Sequence, residues 1–215
     1  MTMTVRKALL LCNGEPPSRA LVRRAVRRSS LVVAADGGAE TARRCGVTPD
    51  LIVGDFDSIR PSTRRYFSAV NQRRVRRQDN TDLEKALDEL HQSGALHVLL
   101  LGATGRRIDF TLGNLSSLWR YDRHLEMRVG GDGWYAVPVR RALRISAPPG
   151  TTVSLLPFGP CAGVSLRGFR YPLSDASFRI GRIGVSNVTR TSPAFFRMRR
   201  GHMLTVVFDD PLSTW

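Results

Sequence analysis

Through the first half of the chain, short apolar runs alternate with segments of helical period. Lys7–Cys12, Leu31–Ala35, Leu51–Val53 and His97–Leu101 are brief runs rich in Leu, Val, Ile and Ala, each followed by a turn that contains glycine. Runs of that length, bounded by turn residues, predict buried strands. Between them, Ser18–Arg28 sets Leu21, Val22, Ala25 and Val26 on one helical face with arginines opposite. Ala39–Cys45 predicts a helix stopped by Gly46, and Pro61–Ala69 a helix with proline at its start. Arg73–Arg76 is a short basic strand candidate. Thr81 predicts the N-cap of a helix from about Asp82 to Ser93, with Glu84 completing a capping box. Asp109–Tyr121 predicts one more helix. This alternation points to a doubly wound, mostly parallel α/β sheet.

Near residue 128 the pattern changes. Arg128–Val129, Trp134–Val139, Leu143–Ser146, Thr152–Leu156, Gly163–Leu166, Phe178–Ile180 and Leu204–Phe208 are short strand candidates punctuated by Gly and Pro, and no helical period persists. The expected organisation is an α/β domain over 1–128 and a small all-β domain, a sandwich, over 129–215.

Composition excludes several classes. The 215 residues carry 42% hydrophobic and 24% charged residues, enough to bury a core, and no apolar run approaches a membrane span. The N-terminus reads as no signal peptide. Cys12, Cys45 and Cys161 form no CxxC or zinc-finger pattern, and the four histidines form no HExxH. Buried thiols in a reducing cytoplasm are the expectation.

Charge changes the picture more. With 33 Lys+Arg against 18 Asp+Glu the formal charge is +15, which invites a nucleic-acid reading. Two details count against it. Lys7 and Lys85 are the only lysines, so the surplus is almost wholly arginine, as a composition bias would give. Eleven of the 18 acids fall between Asp36 and Asp109. A basic protein that concentrates its carboxylates has a use for them there.

Those acids stand where predicted strands end, the place where open parallel sheets bind ligands. The second strand delivers Asp36-Gly37-Gly38. The third delivers Gly54-Asp55-Phe56-Asp57-Ser58, and the fifth, His97–Leu101, delivers Gly102-Ala103-Thr104-Gly105-Arg106-Arg107. Gln78-Asp79-Asn80-Thr81-Asp82 precedes a helix. In an extended segment Asp55 and Asp57 face the same side, where a divalent cation would relieve their repulsion. Mg²⁺ takes one or two carboxylates, waters and phosphate oxygens. Glycines beside the acids allow close backbone approach, and helix N-termini after Gly38 and Gly105 offer N–H groups to phosphate. No GxxxxGK[ST] and no GxGxxG is present, so neither a P-loop nor a dinucleotide fingerprint applies.

ADGGA (Ala35–Ala39), PDLIVGDFDSI (Pro49–Ile59), QDNTDLEKAL (Gln78–Leu87) and GATGRRIDFTLGN (Gly102–Asn114) together resemble the thiamine pyrophosphokinase family. LLPFG (Leu155–Gly159), GFRYPL (Gly168–Leu173) and IGVSN (Ile183–Asn187) resemble its thiamine-binding β-domain. The resemblance implies an α/β nucleotide-binding domain followed by a β-sandwich. It implies transfer of the diphosphoryl group of ATP to the hydroxyl of thiamine, leaving AMP. It also implies a homodimer whose sites form between the α/β domain of one subunit and the β-domain of the other, with no nucleic-acid or membrane partner.

On this resemblance Asp55, Asp57 and Asp82 hold Mg²⁺, with Asp36 as a fourth acid, and these four with Gln78 form the catalytic set. Gly37, Gly38, Asp79, Thr81, Gly105, Arg107 and Asp109 face ATP. Tyr171, Ser186 and Asn187 face thiamine, a cation that suits an aromatic wall. Departures are Arg106 where the family carries glycine, Phe110 where it carries histidine and Gly113 where alanine is common. If position 106 requires positive φ, arginine there costs about 1 kcal/mol or more. A diphosphokinase for another alcohol, such as a hydroxymethylpterin, is the alternative, and a basic nucleic-acid-binding protein a remoter one.

Overall fold

The computed structural model describes residues 7–76, 79–181 and 184–215. The chain divides into two compact units, the first ending at Asp132 and the second beginning at Gly133.

The first unit runs β1 (Lys7–Leu11), α1 (Arg19–Val26), β2 (Leu31–Ala35), α2 (Gly38–Cys45), β3 (Leu51–Gly54), α3 (Pro61–Tyr66) and β4 (Asn71–Arg74). It continues with α4 (Asp82–Gln92), β5 (His97–Leu101), α5 (Ile108–Tyr121) and β6 (Glu126–Gly131). Every strand pairing here is parallel, in the order β6-β5-β1-β2-β3-β4. The central strands β1 and β5 read KALLL and HVLLL and are buried beyond their first residue, because helices cover both faces of a parallel sheet. The chain winds outward from β1 to β4, then crosses back to β5 beside β1. That reversal opens a crevice beyond the carboxyl ends of β1 and β5.

The second unit contains β7 (Trp134–Val139), β8 (Ala142–Ile145), β9 (Thr152–Pro157), β10 (Cys161–Arg167), β11 (Leu173–Phe178), β12 (Gly184–Val188), β13 (Ala194–Arg197) and β14 (Met203–Val207). They form two antiparallel rows, β12-β9-β14-β7 and β11-β10-β13-β8. Val153, Leu155, Met203 and Val207 from one row pack with Ile145, Val164, Leu166 and Phe196 from the other into one core. This is the expected sandwich.

The α/β and β classes stand as expected, and several elements move. β4 starts two residues before the predicted basic strand, because an edge strand of NQRR has no apolar alternation and its register is set by pairing Leu51 with Asn71. Of the expected Phe178–Ile180 strand only Phe178 lies in β11, whose LSDASF carries little alternation. β12 and β13 were not expected, since GVSNV and AFFR are short and partly exposed. Among the described residues no helix is long and apolar enough to cross a membrane. Cys12, Cys45 and Cys161 are buried free thiols.

Candidate active site

Four aspartates meet beyond the carboxyl ends of β2 and β3. Asp36 follows β2, Asp55 and Asp57 follow β3, and Asp82 opens α4; one oxygen of each lies within 4.8 Å of the others. Close backbone packing brings them together. Gly54 abuts Asp36 so closely that a Cβ would come 2.7 Å from the Asp36 Cβ. The Asp55–Ser58 segment is not extended as expected. Phe56 takes φ 69°, and the Asp57 N–H donates to Asp55 Oδ1 at 3.3 Å. A turn, not strand alternation, therefore aims both carboxylates at one point. Arg74 secures this turn by donating to the Asp55 carbonyl at 3.1 Å.

α4 begins as expected. Thr81 Oγ accepts from the Glu84 N–H at 3.2 Å and the Glu84 carboxylate accepts from the Thr81 N–H at 2.9 Å. The Tyr121 hydroxyl donates to the Glu84 carbonyl and to Asp88, and Arg120 pairs with Glu84, so α5 holds α4 in place. Asp82 is thereby fixed at the helix start.

The electrostatics of the cluster are uneven. Asp36 is 1% exposed. Its Oδ2 accepts from the Ser58 N–H at 2.9 Å, while its buried Oδ1 has no hydrogen-bond partner among the described residues. Burial pushes its carboxyl up to about 6 against the pull of the Ser58 N–H, and the charges of Asp82 and Asp57 add to the rise. Burial raises Asp82 as well, and the hydrogen bond from Lys85 only partly offsets it. For Asp55 burial is outweighed by Lys85, which holds the carboxyl below its ordinary range. Lys85 donates to Asp82 Oδ1 at 2.9 Å and Asp55 Oδ2 at 3.1 Å. Its burial alone would lower its pKa, but these two partners raise it. An all-oxygen donor set with a buried, unpartnered carboxylate oxygen fits a hard divalent cation.

Beside the cluster, at the β1/β5 crevice, lies a cleft of about 420 Å³. Asn13 and Gly14 after β1, Asp57, Ser58, Thr81 and Asp82 from the acidic side, and Gly105, Arg106, Arg107 and Phe110 after β5 line it. Glycine is required where these loops touch: a Cβ on Gly38 would sit 2.0 Å from the Leu11 carbonyl oxygen, and one on Gly37 2.3 Å from the Asn13 Cγ. Gly37 and Gly38 thus let α2 start against β1. Gly105 has φ 84° and donates its N–H to Thr111. Arg106 does adopt the left-handed conformation, φ 55°, and its guanidinium donates to the Asn13 carbonyl and side-chain oxygens at 3.2 and 3.1 Å. Arg107 forks onto Asp109 and stacks over the Phe110 ring, its Cζ 4.4 Å from the centroid. The Phe110 ring thus supports the Arg107 guanidinium. Asp79 lies on the bend before α4. Gln78 and Arg77 lie outside the described residues.

In the sandwich unit Tyr171 is 58% exposed, so it is no core aromatic. Asn187 accepts from the Tyr171 N–H at 3.1 Å and donates to the Tyr171 carbonyl at 2.8 Å. Most of its carboxamide is therefore spent on fixing the tyrosine backbone. Ser186 is exposed at φ 59°, its N–H held by Ser154 at 3.1 Å.

Sequence reasoning missed Lys85 and Asn13 as site residues. Lys85 carried a signal: it is one of two lysines in a chain with 33 basic residues. Asn13 read only as half of a turn.

The comparisons with known proteins point to one family. Residues 22–129 match the family description "Thiamin pyrophosphokinase, catalytic domain", and residues 140–203 match "Thiamin pyrophosphokinase, vitamin B1 binding domain". Thiamine pyrophosphokinase 1 of Oryza sativa subsp. japonica is 30% identical over 191 residues, covering 75% of this chain and 72% of the relative. The thiamine pyrophosphokinase of Bacillus subtilis (strain 168) is 26% identical over 193 residues, covering 82% and 86%. The fold is shared with solved thiamin pyrophosphokinases of Geobacillus thermodenitrificans (TM-score 0.82, 23% identity, 94% of this chain and 97% of that one) and of yeast (TM-score 0.81, 19%, 97% and 88%). These matches favour thiamine over a pterin alcohol and do not favour a nucleic-acid role. With both domain descriptions matched in order, and an aspartate cluster beside a cleft in the first of them, the chain belongs to the thiamin pyrophosphokinase family.

Proposed function

We propose that this chain transfers the diphosphoryl group of ATP to thiamine with Asp55, Asp57, Asp82 and Asp36 as a Mg²⁺ site. The observation that carries the metal reading is the meeting of four carboxylates within 4.8 Å, one of them with a buried, unpartnered oxygen. When bound, Mg²⁺ neutralises charge that spreads over the phosphoryl oxygens. The chain's own residues do the positioning. Attack on the β-phosphorus requires the thiamine hydroxyl in line with the leaving AMP oxygen, and the cleft between the acids and the Gly105–Arg107 turn is the place for the triphosphate. Arg107 is the bidentate phosphate partner, exchanging Asp109 for ATP. Thr81 and Gly105 line the same cleft. Gly37 and Gly38 act by letting α2 and the β1 loop approach. Asp79 and Gln78 take the site-lining roles that the resemblance implies.

The α/β unit is then the ATP-binding catalytic part and the β unit the thiamine-binding part. Tyr171 offers an exposed ring to the cationic thiamine, Asn187 holds that ring's backbone and has one amide hydrogen left, and Ser186 supplies a hydroxyl. A homodimer with composite sites is proposed from the family resemblance, and a cytoplasmic location from the three buried thiols. Sedimentation tests the first: a monomer at assay concentration with full activity contradicts it.

Incubation with ATP, Mg²⁺ and thiamine, with products resolved by chromatography, tests the reaction. Thiamine diphosphate and AMP in equal amounts are expected. ADP with thiamine monophosphate, or no turnover by folded protein, overturns it.

A further inference from the structure

Lys85 stands one turn after Asp82 on α4, so both side chains share a helix face. Its ammonium bridges Asp82 at 2.9 Å and Asp55 at 3.1 Å, and its side chain is 3% exposed. It therefore ties the start of α4 to the turn after β3. In a chain whose cations are otherwise almost all arginine, this one is a lysine. The difference is chemical: an ammonium is a compact point charge, whereas a guanidinium is a planar fork. One fixed positive charge thus occupies an oxygen on two of the four carboxylates proposed to bind the cation. It relieves their mutual repulsion when no divalent ion is there, and it repels that ion when it arrives.

Resting on the reading of the cluster as a divalent-cation site, we propose that Lys85 is a built-in counter-ion, whose charge offsets the repulsion between Asp55 and Asp82 before the cation binds and weakens the cation's hold on the nucleotide-free protein. A lysine that merely braced the loop would act oppositely, since its loss would scatter the carboxylates and loosen cation binding.

Calorimetric titration of Mg²⁺ into the intact, nucleotide-free 215-residue chain separates the two. Lys85→Met should bind Mg²⁺ about tenfold more tightly than wild type, as removal of one charge a few ångströms away requires. Its melting temperature in EDTA should fall, and the gap to wild type should narrow when Mg²⁺ is added. Lys85→Arg, which keeps the charge, should stay within about threefold of wild type on the same electrostatic ground. Unchanged or weaker Mg²⁺ binding in Lys85→Met overturns the proposal. If that variant is not recovered folded, Lys85→Gln, which loses the same charge but keeps a donor, is read by the same criterion. A wild-type protein that takes up neither Mg²⁺ nor Mn²⁺ overturns the metal reading itself. Tighter binding in the neutral variant supports both.

Discussion

The two units present opposite kinds of surface. The α/β unit gathers like charges: four aspartates, one of them 1% exposed, held at the end of a parallel sheet by turns and by glycines that leave no room for a Cβ. The sandwich unit presents an exposed aromatic, Tyr171, whose backbone is clamped by a buried asparagine. Concentrating carboxylates costs electrostatic energy that a cation can return, so such an arrangement points strongly to a ligand. An exposed tyrosine costs little and points weakly.

Breaking the acidic side should have the largest effect. Asp57→Asn should cut turnover by about 100-fold or more, in the range seen when a group facing transition-state charge is lost. Circular dichroism should be unchanged, and undiminished turnover would remove Asp57 from the site. On the sandwich side, Tyr171→Ala should raise the KM for thiamine about tenfold, within the range expected of a cation–π contact, and leave the KM for ATP as it was. A rise in both would mean that the tyrosine shapes more than the thiamine pocket. Arg107→Lys should raise the KM for ATP about fivefold, because a point charge cannot reproduce a bidentate fork. An equal KM would assign Arg107 to Asp109 and Phe110 alone. The smallest effect concerns the backbone. Arg106→Gly and Arg106→Ala both lose the Asn13 contacts, but Gly accepts φ 55°, so the Gly variant should be more stable than the Ala variant by about 1 kcal/mol in urea unfolding. Equal stabilities would show that the left-handed conformation carries no strain.

The same contrast explains what could be read from the residues alone. β1 and β5 are continuous apolar runs bounded by turns, so their place at the sheet centre was legible, as was the Thr81–Glu84 capping box. The acids were legible because they recur at several predicted strand ends and fall in the motifs that carry the family resemblance, although Asp beside Gly alone reads as a turn. The sandwich edges were not: LSDASF, GVSNV and AFFR are short, and cross-strand partners far along the chain define them. Lys85 escaped because its second partner, Asp55, lies 30 residues away and only the fold joins them. The turn at Phe56 escaped because a non-glycine residue with positive φ leaves little trace in sequence.

On this reading the aspartate cluster, not the basic surplus, organises the chemistry. Titration of Mn²⁺ into metal-free wild type and Asp57→Asn, followed by electron paramagnetic resonance, tests it most directly. Wild type should bind saturably and the variant at least about tenfold more weakly, as the loss of one carboxylate ligand requires. Identical binding curves for the two proteins would contradict it.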